Sequence, residues 1–403
     1  MVEEQAAQVR PGATESVELI ASAGRVLAET VAGDRDLPPF PRSTRDGYAV
    51  RSSDLKVLPK LLDVIGEIRA GEKIENIPAD IPAGKTASIM TGAPVPAGAD
   101  AVVMVEYSTL HGDRVEITRS VVAGENVVAR GAEARNGATL LERGQVLNEA
   151  AVGVAASVGK SRVEVYRRPQ VAVLTTGDEI VGVDSTPGPT EIRNSNSYSL
   201  AAQIRRAGGE AVLLPVAPDE LRRLRSLIEE GLRADLLIMT GGVSMGRYDL
   251  VEQALSELNA EFFFTGAKIQ PGRPVVFGKC PAVSGREAPG TYFFGLPGNP
   301  VSTMVTFELF AHPVLEALCG CMPRKKQFLS ARLQKEIRVK AGLKRFLPAT
   351  LSGEFERVEV ALVGWQGSGD VAAAARANCY IVVPEDRECI AAGEWVPVMR
   401  IEG

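Results

Sequence analysis

Apolar residues recur at helical spacing over residues 15–32 (ESVELIASAGRVLAETVA), a pattern that predicts a helix. Asp36-Leu37-Pro38-Pro39-Phe40-Pro41 follows as a rigid, non-helical link. From about 60 to 132 the pattern changes to short runs of β type separated by Gly and Pro: LLDVIGEI, ASIMTGAP, DAVVMVEY, RVEITRS and ENVVAR. They predict a small all-β unit. Residues 147–159 (LNEAAVGVAASVG) read as helical again. Three strongly apolar runs come next, each closed by a Gly turn. They are Val171–Leu174 before Thr176-Gly177-Asp178-Glu179, Leu236–Met239 before Thr240-Gly241-Gly242-Val243-Ser244, and Thr291–Phe294 before Gly295-Leu296-Pro297-Gly298-Asn299-Pro300. Amphipathic helices are expected in SYSLAAQIRRAGG, DELRRLRSLIEEGLR, DLVEQALSEL and VSTMVTFELFAHPVLEAL. Unbroken apolar strands alternating with helices predict a parallel sheet covered on both faces. After Pro323 the chain returns to short strands (ARLQKEIRVK, FLPATLS, RVEVALVGW, CYIVVPE, EWVPVMRI), a second β module.

A length of 403 residues fits two to four domains. With Lys+Arg 45 and Asp+Glu 50, the net charge of −5 argues against sequence-independent nucleic-acid binding. The hydrophobic fraction of 45% and the charged fraction of 24% exclude disorder as the main state. Five cysteines without a CxxC pair point to neither a disulfide framework nor a structural zinc site. His111 and His312 are the only histidines, so a His-based metal centre is not expected. MVEEQAAQVR has no apolar leader pattern and no run reaches the length of a membrane span. The expectation is a soluble cytoplasmic protein.

In an open α/β sheet, ligands sit beyond the carboxyl ends of the strands. The three Gly-closed loops fall there. A Gly-Gly turn leading into a helix leaves backbone N–H groups for an anion, typically phosphate. Asp178, Glu179, Asp219 and Asp249 add hard oxygen donors, so a site for phosphate and Mg²⁺ is expected. Taken singly, each loop also reads as an ordinary turn or a Pro-stiffened helix start. Asp46 before Gly47 also reads alone as a turn residue. The three loops at strand ends of one unit together favour a site.

Five motifs in order resemble the molybdopterin molybdenumtransferase family, which includes the E domains of gephyrin and of plant Cnx proteins. They are LPPFPRSTRDGYAV (37–50), IMTGAPVPAGAD (89–100), TGDE (176–179), TGGVSMGRYD (240–249) and GLPGNP (295–300). The resemblance runs from about residue 15 to 400. It implies a multidomain α/β plus β fold. Residues 1–33 and 138–165 form a helical linker domain, and 34–137 an inserted β-rich domain. Residues 166–323 form a three-layer α/β molybdopterin-binding domain, and 324–403 a C-terminal β barrel. It also implies the reaction: molybdate- and Mg²⁺-dependent cleavage of adenylylated molybdopterin, insertion of molybdenum, and release of AMP. Family members are homodimers, with each site lying between the α/β domain of one subunit and the β domain of the other. The resemblance further implies a molybdopterin adenylyltransferase as substrate donor and molybdoenzymes or their chaperones as acceptors, with no nucleic acid and no membrane.

Carried over residue by residue, the resemblance makes Asp46, Thr91, Glu133, Glu179, Asp219 and Asp249 catalytic, with Asp219 and Asp249 holding the metal. It assigns substrate binding to Gly241, Gly242, Ser244, Arg273, Pro297, Asn299, Pro300 and Ser368, to which the departures below add Lys268 and Arg345. There are three departures. Gln270-Pro271-Gly272-Arg273-Pro274 replaces a common Lys-Pro-Gly-Lys-Pro, and Lys268 shares a strand face with Gln270. Gly342-Leu343-Lys344-Arg345-Phe346 replaces Gly-Arg-x-x-Phe, so Arg345 is expected to take over the oxyanion contact. Glu133 stands where an Asp is common. His312, Cys319 and Cys321 are expected to be bystanders. A scaffold without catalysis and the adenylyltransferase step are the alternatives. The retained Asp46, Thr91, Asp219 and Asp249 disfavour the first, although the C-terminal β module would suit a scaffold; DGYAV and the two β modules disfavour the second. No residue discriminates molybdate from tungstate.

Overall fold

In the computed structural model, which describes residues 1–241, 250–282 and 290–401, the apolar runs become the centre of a six-stranded sheet. Its order is Glu210–Leu213, Gln170–Thr175, Leu236–Thr240, Thr291–Leu296, Val276–Cys280, Glu261–Phe264. The first four strands are parallel and the last two antiparallel. Both faces are buried, which is why these strands read as unbroken apolar runs. Successive side chains point to opposite faces. Val171, Val173, Ile238 and Phe294 pack with helices Asn196–Arg206 and His312–Leu318. Ala172, Leu174, Leu237 and Met239 pack with Leu221–Gly231 and Leu250–Glu257. The last expected helix, after GLPGNP, forms as Pro300–Thr306, a π-helical turn Phe307–Ala311, and His312–Leu318.

The chain runs from Gln170–Thr175 outward to the edge strand Glu210–Leu213, then crosses back to Leu236–Thr240 on the other side. This reversal is the topological switch that opens a crevice at the carboxyl ends.

The β-type runs of the first half form a six-stranded sheet ordered Ala101–Met104, Gly47–Val50, Lys85–Ile89, Lys60–Ile68, Arg114–Ile117, Ser108–His111. The last module closes as a five-stranded barrel. Lys344–Ser352 pairs with Glu359–Leu362, then come Leu329–Leu333, Trp395–Arg400 and Cys379–Val383, which pairs back onto Lys344–Ser352.

The helix expected over 15–32 does not form. Thr14–Glu18 is a strand paired with Arg162–Tyr166, Leu19–Ala21 is one 3-10 turn, and Val31–Ala32 pairs with Thr139–Leu141. Leu27 and Val31 are fully buried with Leu141, Leu147 and Val165. Cross-strand partners supply what a helix would have supplied locally, and helix propensity is too weak to outweigh them. Gly24, at φ +75°, sits in a conformation that would end a helix there in any case. The helix expected at 147–159 is present as Glu149–Ser157, capped by Asn148, whose Oδ1 accepts the Ala151 N–H at 2.9 Å. Among the described residues no helix is long and apolar enough to cross a membrane.

Candidate functional site

Register alone brings three motifs level. Thr175 lies opposite Thr240, and Thr240 opposite Leu296, so the three loops leave the sheet side by side. Gly241 has φ +87°, and a Cβ there would lie 2.3 Å from the Thr176 carbonyl oxygen. Only glycine lets these backbones approach so closely. A Cβ on Gly298 would in turn lie 3.5 Å from the Gly241 Cα.

A buried polar brace holds the loops. Asn196 Nδ2 donates to Thr240 Oγ1 at 3.0 Å and to the Gly298 carbonyl at 2.7 Å. Thr240 and Thr303 hydroxyls donate to the Pro297 carbonyl at 3.2 and 2.6 Å. Behind them, Thr175 and Ser197 hydroxyls bond at 2.8 Å, and Asn194 Nδ2 donates to Ser197 Oγ at 2.9 Å. Thr176 Oγ1 and Asn196 Oδ1 are buried without a partner. Sequence reading missed the segment 194–197. Its signal was the run Asn-Ser-Asn-Ser before an apolar helix, which looks like capping residues and is instead largely buried.

The acidic side chains lie at the rim, where Asp178, Glu179 and Asp219 are all exposed. Asp178 Oδ1 accepts the Asp219 N–H at 3.0 Å. Partial burial, then the negative charges of Asp178 and Glu179, push the Asp219 carboxyl above its ordinary value. Gly242, Ser244 and Asp249 lie outside the described residues. Among the described residues no three His, Cys, Asp or Glu side chains form a ready-made metal cluster.

The barrel reaches the same rim. Ile269–Gln270 pairs in parallel with Lys344–Arg345, adding two residues of the α/β unit to the edge of a barrel strand. Ile269 is buried while Lys268 and Gln270 are exposed, so the expected shared face is present. Arg345 donates through Nη1 to Gln270 Oε1 and through Nη2 to the Lys340 carbonyl at 2.7 Å. The two positions that depart from the family pattern therefore touch. Gly272 lies against helix Pro300–Thr306, where a Cβ would meet the Thr306 methyl at 2.4 Å. Arg273 beside it is exposed. At the start of the same helix, the Val301 N–H donates to the Ser368 carbonyl at 2.9 Å. Ser368 thus stands at the start of this helix, beside Asn299 and Pro300.

A second group forms in the inserted sheet. Asp46 Oδ1 accepts the Thr91 N–H at 2.6 Å. That amide, then the Thr91 side chain, holds the Asp46 carboxyl below its ordinary value. Gly47 is required after it, because a Cβ would lie 1.8 Å from the Val103 carbonyl oxygen. Glu133 Oε1 accepts from Arg42 Nη2 at 2.9 Å, on the strand just before Asp46. Asp46, Thr91 and Glu133 make these bonds within residues 34–137, and none of the bonds links them to the strand-end loops. Burial pushes the Cys280 and Cys321 thiols up, to about 12 and about 11, so neither is poised as a thiolate. His312 is buried and its pKa lowered, first by that burial.

The fold and the rim define an α/β unit with a ligand crevice at its strand ends, flanked by two β modules. Residues 172–317 match the family described as "Probable molybdopterin binding domain". Residues 1–159 match "MoeA N-terminal region (domain I and II)" and 330–401 match "MoeA C-terminal region (domain IV)". A molybdopterin molybdenumtransferase of a Nostoc species is 34% identical over 397 residues, covering 96% of this chain and 89% of that protein. One from Haemophilus influenzae is 33% identical over 392 residues, covering 96% and 94%. The crystal structure of a molybdopterin biosynthesis moea protein from Pyrococcus horikoshii superposes with a TM-score of 0.73 at 31% identity, covering 100% of this chain and 98% of that one. The chain belongs to the molybdopterin molybdenumtransferase family.

Proposed function

We propose that the chain inserts molybdenum from molybdate into adenylylated molybdopterin and releases AMP, the step that completes molybdenum cofactor biosynthesis. One observation carries the site assignment: three strand-end loops leave the sheet level, and the barrel joins them where Ser368 accepts the Val301 amide at the start of helix Pro300–Thr306, with Arg345 on Gln270 at the neighbouring seam. The diphosphate of the substrate sits over the Gly241 turn and the exposed Gly298 and Asn299, since backbone amides at a helix start suit an anion. Molybdate, a tetrahedral dianion, lies against Arg345, Gln270, Lys268, Arg273 and Ser368. The planar guanidinium of Arg345 suits two of its oxygens and stands where the first family Lys is absent.

Asp219, together with Asp249, is the pair that would hold Mg²⁺. Asp219 is crowded by Asp178 and Glu179, and a hard dication relieves that like-charge strain. Mg²⁺ commonly takes one or two carboxylates and fills its shell with phosphate oxygens and water, so the absence of a larger cluster among the described residues suits it. When bound, it supplies neutralisation of phosphate charge and polarisation of the phosphoanhydride. Glu179 keeps the rim negative beside the metal pair, and the Asn196 brace fixes the loops against which the diphosphate is held.

Asp46, Thr91 and Glu133 complete the site of the partner subunit in a cytoplasmic homodimer. The support is that Asp46 bonds Thr91 and Glu133 bonds Arg42 within residues 34–137, with neither bond reaching the strand-end loops of the same chain. Asp46 is ionised at neutral pH and pinned by the Thr91 amide, which suits it to orient a donor group by accepting its hydrogen bond. The adenylylated pterin comes from an adenylyltransferase, and the product passes to molybdoenzymes or their chaperones.

The test is AMP release from adenylylated molybdopterin with Mg²⁺, with and without molybdate. Asp46→Asn and Asp219→Asn homodimers are each inactive. Random mixing regains about a quarter of wild-type activity, because about half of the dimers are mixed and each of these carries one intact site of two. Molybdate-independent AMP release overturns the reaction assigned, and silent mixed dimers of folded chains overturn the shared site.

A further inference from the structure

At the opposite end of the α/β sheet lies a cavity of about 790 Å³ that the reaction does not use. It opens where the strands begin. Gln170 starts one strand, Asp235 precedes Leu236–Thr240, and Gly290 precedes Thr291–Leu296. A strand of five or six residues separates it from the pterin rim by roughly 17 Å. Its outer wall is the segment 8–13, a strap between two anchored elements. On one side the helix Val2–Ala6 packs on His312–Leu318; on the other, Thr14–Glu18 pairs with Arg162–Tyr166. The cavity therefore sits at a junction between structural units, a common place for ligand sites.

Its charge is one-sided. Among the described residues, Arg10, Arg167, Arg168 and Lys279 line it against a single carboxylate, Asp235. That carboxylate already accepts the Gln170 amide at 2.8 Å. Among the described residues the guanidinium groups of Arg10, Arg167 and Arg168 have neither an ion pair nor a hydrogen-bond acceptor. Lys279 rests over the Tyr292 ring, 4.9 Å from its centre, and Tyr292 donates its hydroxyl to Gln5 Oε1 at 3.2 Å. All three are exposed and solvated, and together with Lys279 they make a positive patch that attracts an anion. Their planar donor sets match phosphate oxygens. Apart from Gln8 and Gln170 the remaining wall is apolar, and the volume exceeds what inorganic phosphate would fill.

We infer that this cavity is a second ligand site, which takes a small organic phosphate carrying two or more negative charges on an apolar or aromatic body. Such a ligand would close the strap onto the base of the sheet without touching the pterin rim. ATP without Mg²⁺ is the probe, titrated calorimetrically into the full-length protein, with pyrophosphate as a charge-only comparison. ATP binds tighter than pyrophosphate. Arg167→Gln/Arg168→Gln weakens ATP by about tenfold or more, as loss of charge-assisted bonds requires. Arg10→Gln weakens it as well. Thermal unfolding and molybdate-dependent AMP release stay at wild-type values. ATP bound at the pterin rim would be insensitive to these variants, so equal affinity across all proteins overturns the inference. So does a lack of ATP binding up to millimolar concentration. Tight binding of a polyglutamate peptide without ATP binding overturns it too, by assigning the recess to an acidic protein segment.

Discussion

Replacing Asn196 with alanine removes a side chain that bonds two strand-end loops at once. Its Nδ2 hydrogen bonds are 3.0 Å to Thr240 Oγ1 and 2.7 Å to the Gly298 carbonyl, and the residue is 8% exposed. A buried hydrogen bond contributes about 1 kcal/mol net, and an acceptor left unpaired costs more. Two such bonds put the loss at about 2–3 kcal/mol. If the loops must be ordered to hold the diphosphate, that energy is a factor of about 30–150 in kcat/KM. The assay is molybdate-dependent AMP release over a range of pterin concentrations, beside thermal unfolding. The same energy lowers Tm by about 4–12 °C for a unit of this size. Asn196→Asp keeps the shape and loses both donors, so it falls at least as far. Wild-type kcat/KM in a variant destabilised as calculated would show that the brace supports the fold and does not position the loops. An unchanged Tm would refute the energetic reading of the two bonds.

Further outcomes follow from two other contacts. Arg345→Leu raises the molybdate concentration for half-maximal insertion by about tenfold, the effect of one charge-assisted contact, and an unchanged curve removes Arg345 from the oxyanion site. Glu308→Gln tests the buried ion group in which Glu308 meets Arg206, Lys326 at 3.0 Å and Gln203 at 2.9 Å. Burial pushes the Glu308 carboxyl up, but the charges of Lys326 and Arg206 outweigh it and hold the group below its ordinary value of 4.5. Its contribution is present above that value and lost as pH falls through the lower folded one. The variant is therefore less stable at pH 7, by about 3 kcal/mol, and the gap to wild type closes in acid. A gap that is the same at pH 7 and in acid contradicts the assignment. Denaturant unfolding at several pH values reads it.

The parts legible in the sequence are those set by local pattern. Strands buried on both faces must be apolar throughout, so the three central strands and the loops at their ends could be placed from composition alone. Asp46 and Thr91, known in the sequence only as members of separate motifs, prove to be hydrogen-bonded to each other. What failed depended on distant partners. The segment 15–32 has helical spacing, yet its pairing partners lie more than a hundred residues away in sequence. The Asn194–Ser197 brace was hidden because polar residues before a helix normally signal a cap. The alternation of Lys268 and Gln270 was readable, but their attachment to a barrel strand was not, since register between residues 75 apart leaves no periodic trace.

That attachment has a consequence for exchange between relatives. The barrel appears in the sequence as a separable C-terminal block, yet its strand Lys344–Ser352 takes Ile269–Gln270 as a neighbour and Arg345 takes Gln270 as a side-chain partner. A chimera that imports a foreign barrel at the connecting segment alone inherits a mismatched seam, with a guanidinium facing the wrong residue. Functional grafts must carry the 266–274 turn along with the barrel. The unit of inheritance at this end of the molecule is therefore discontinuous in the gene, although the barrel that it serves is continuous.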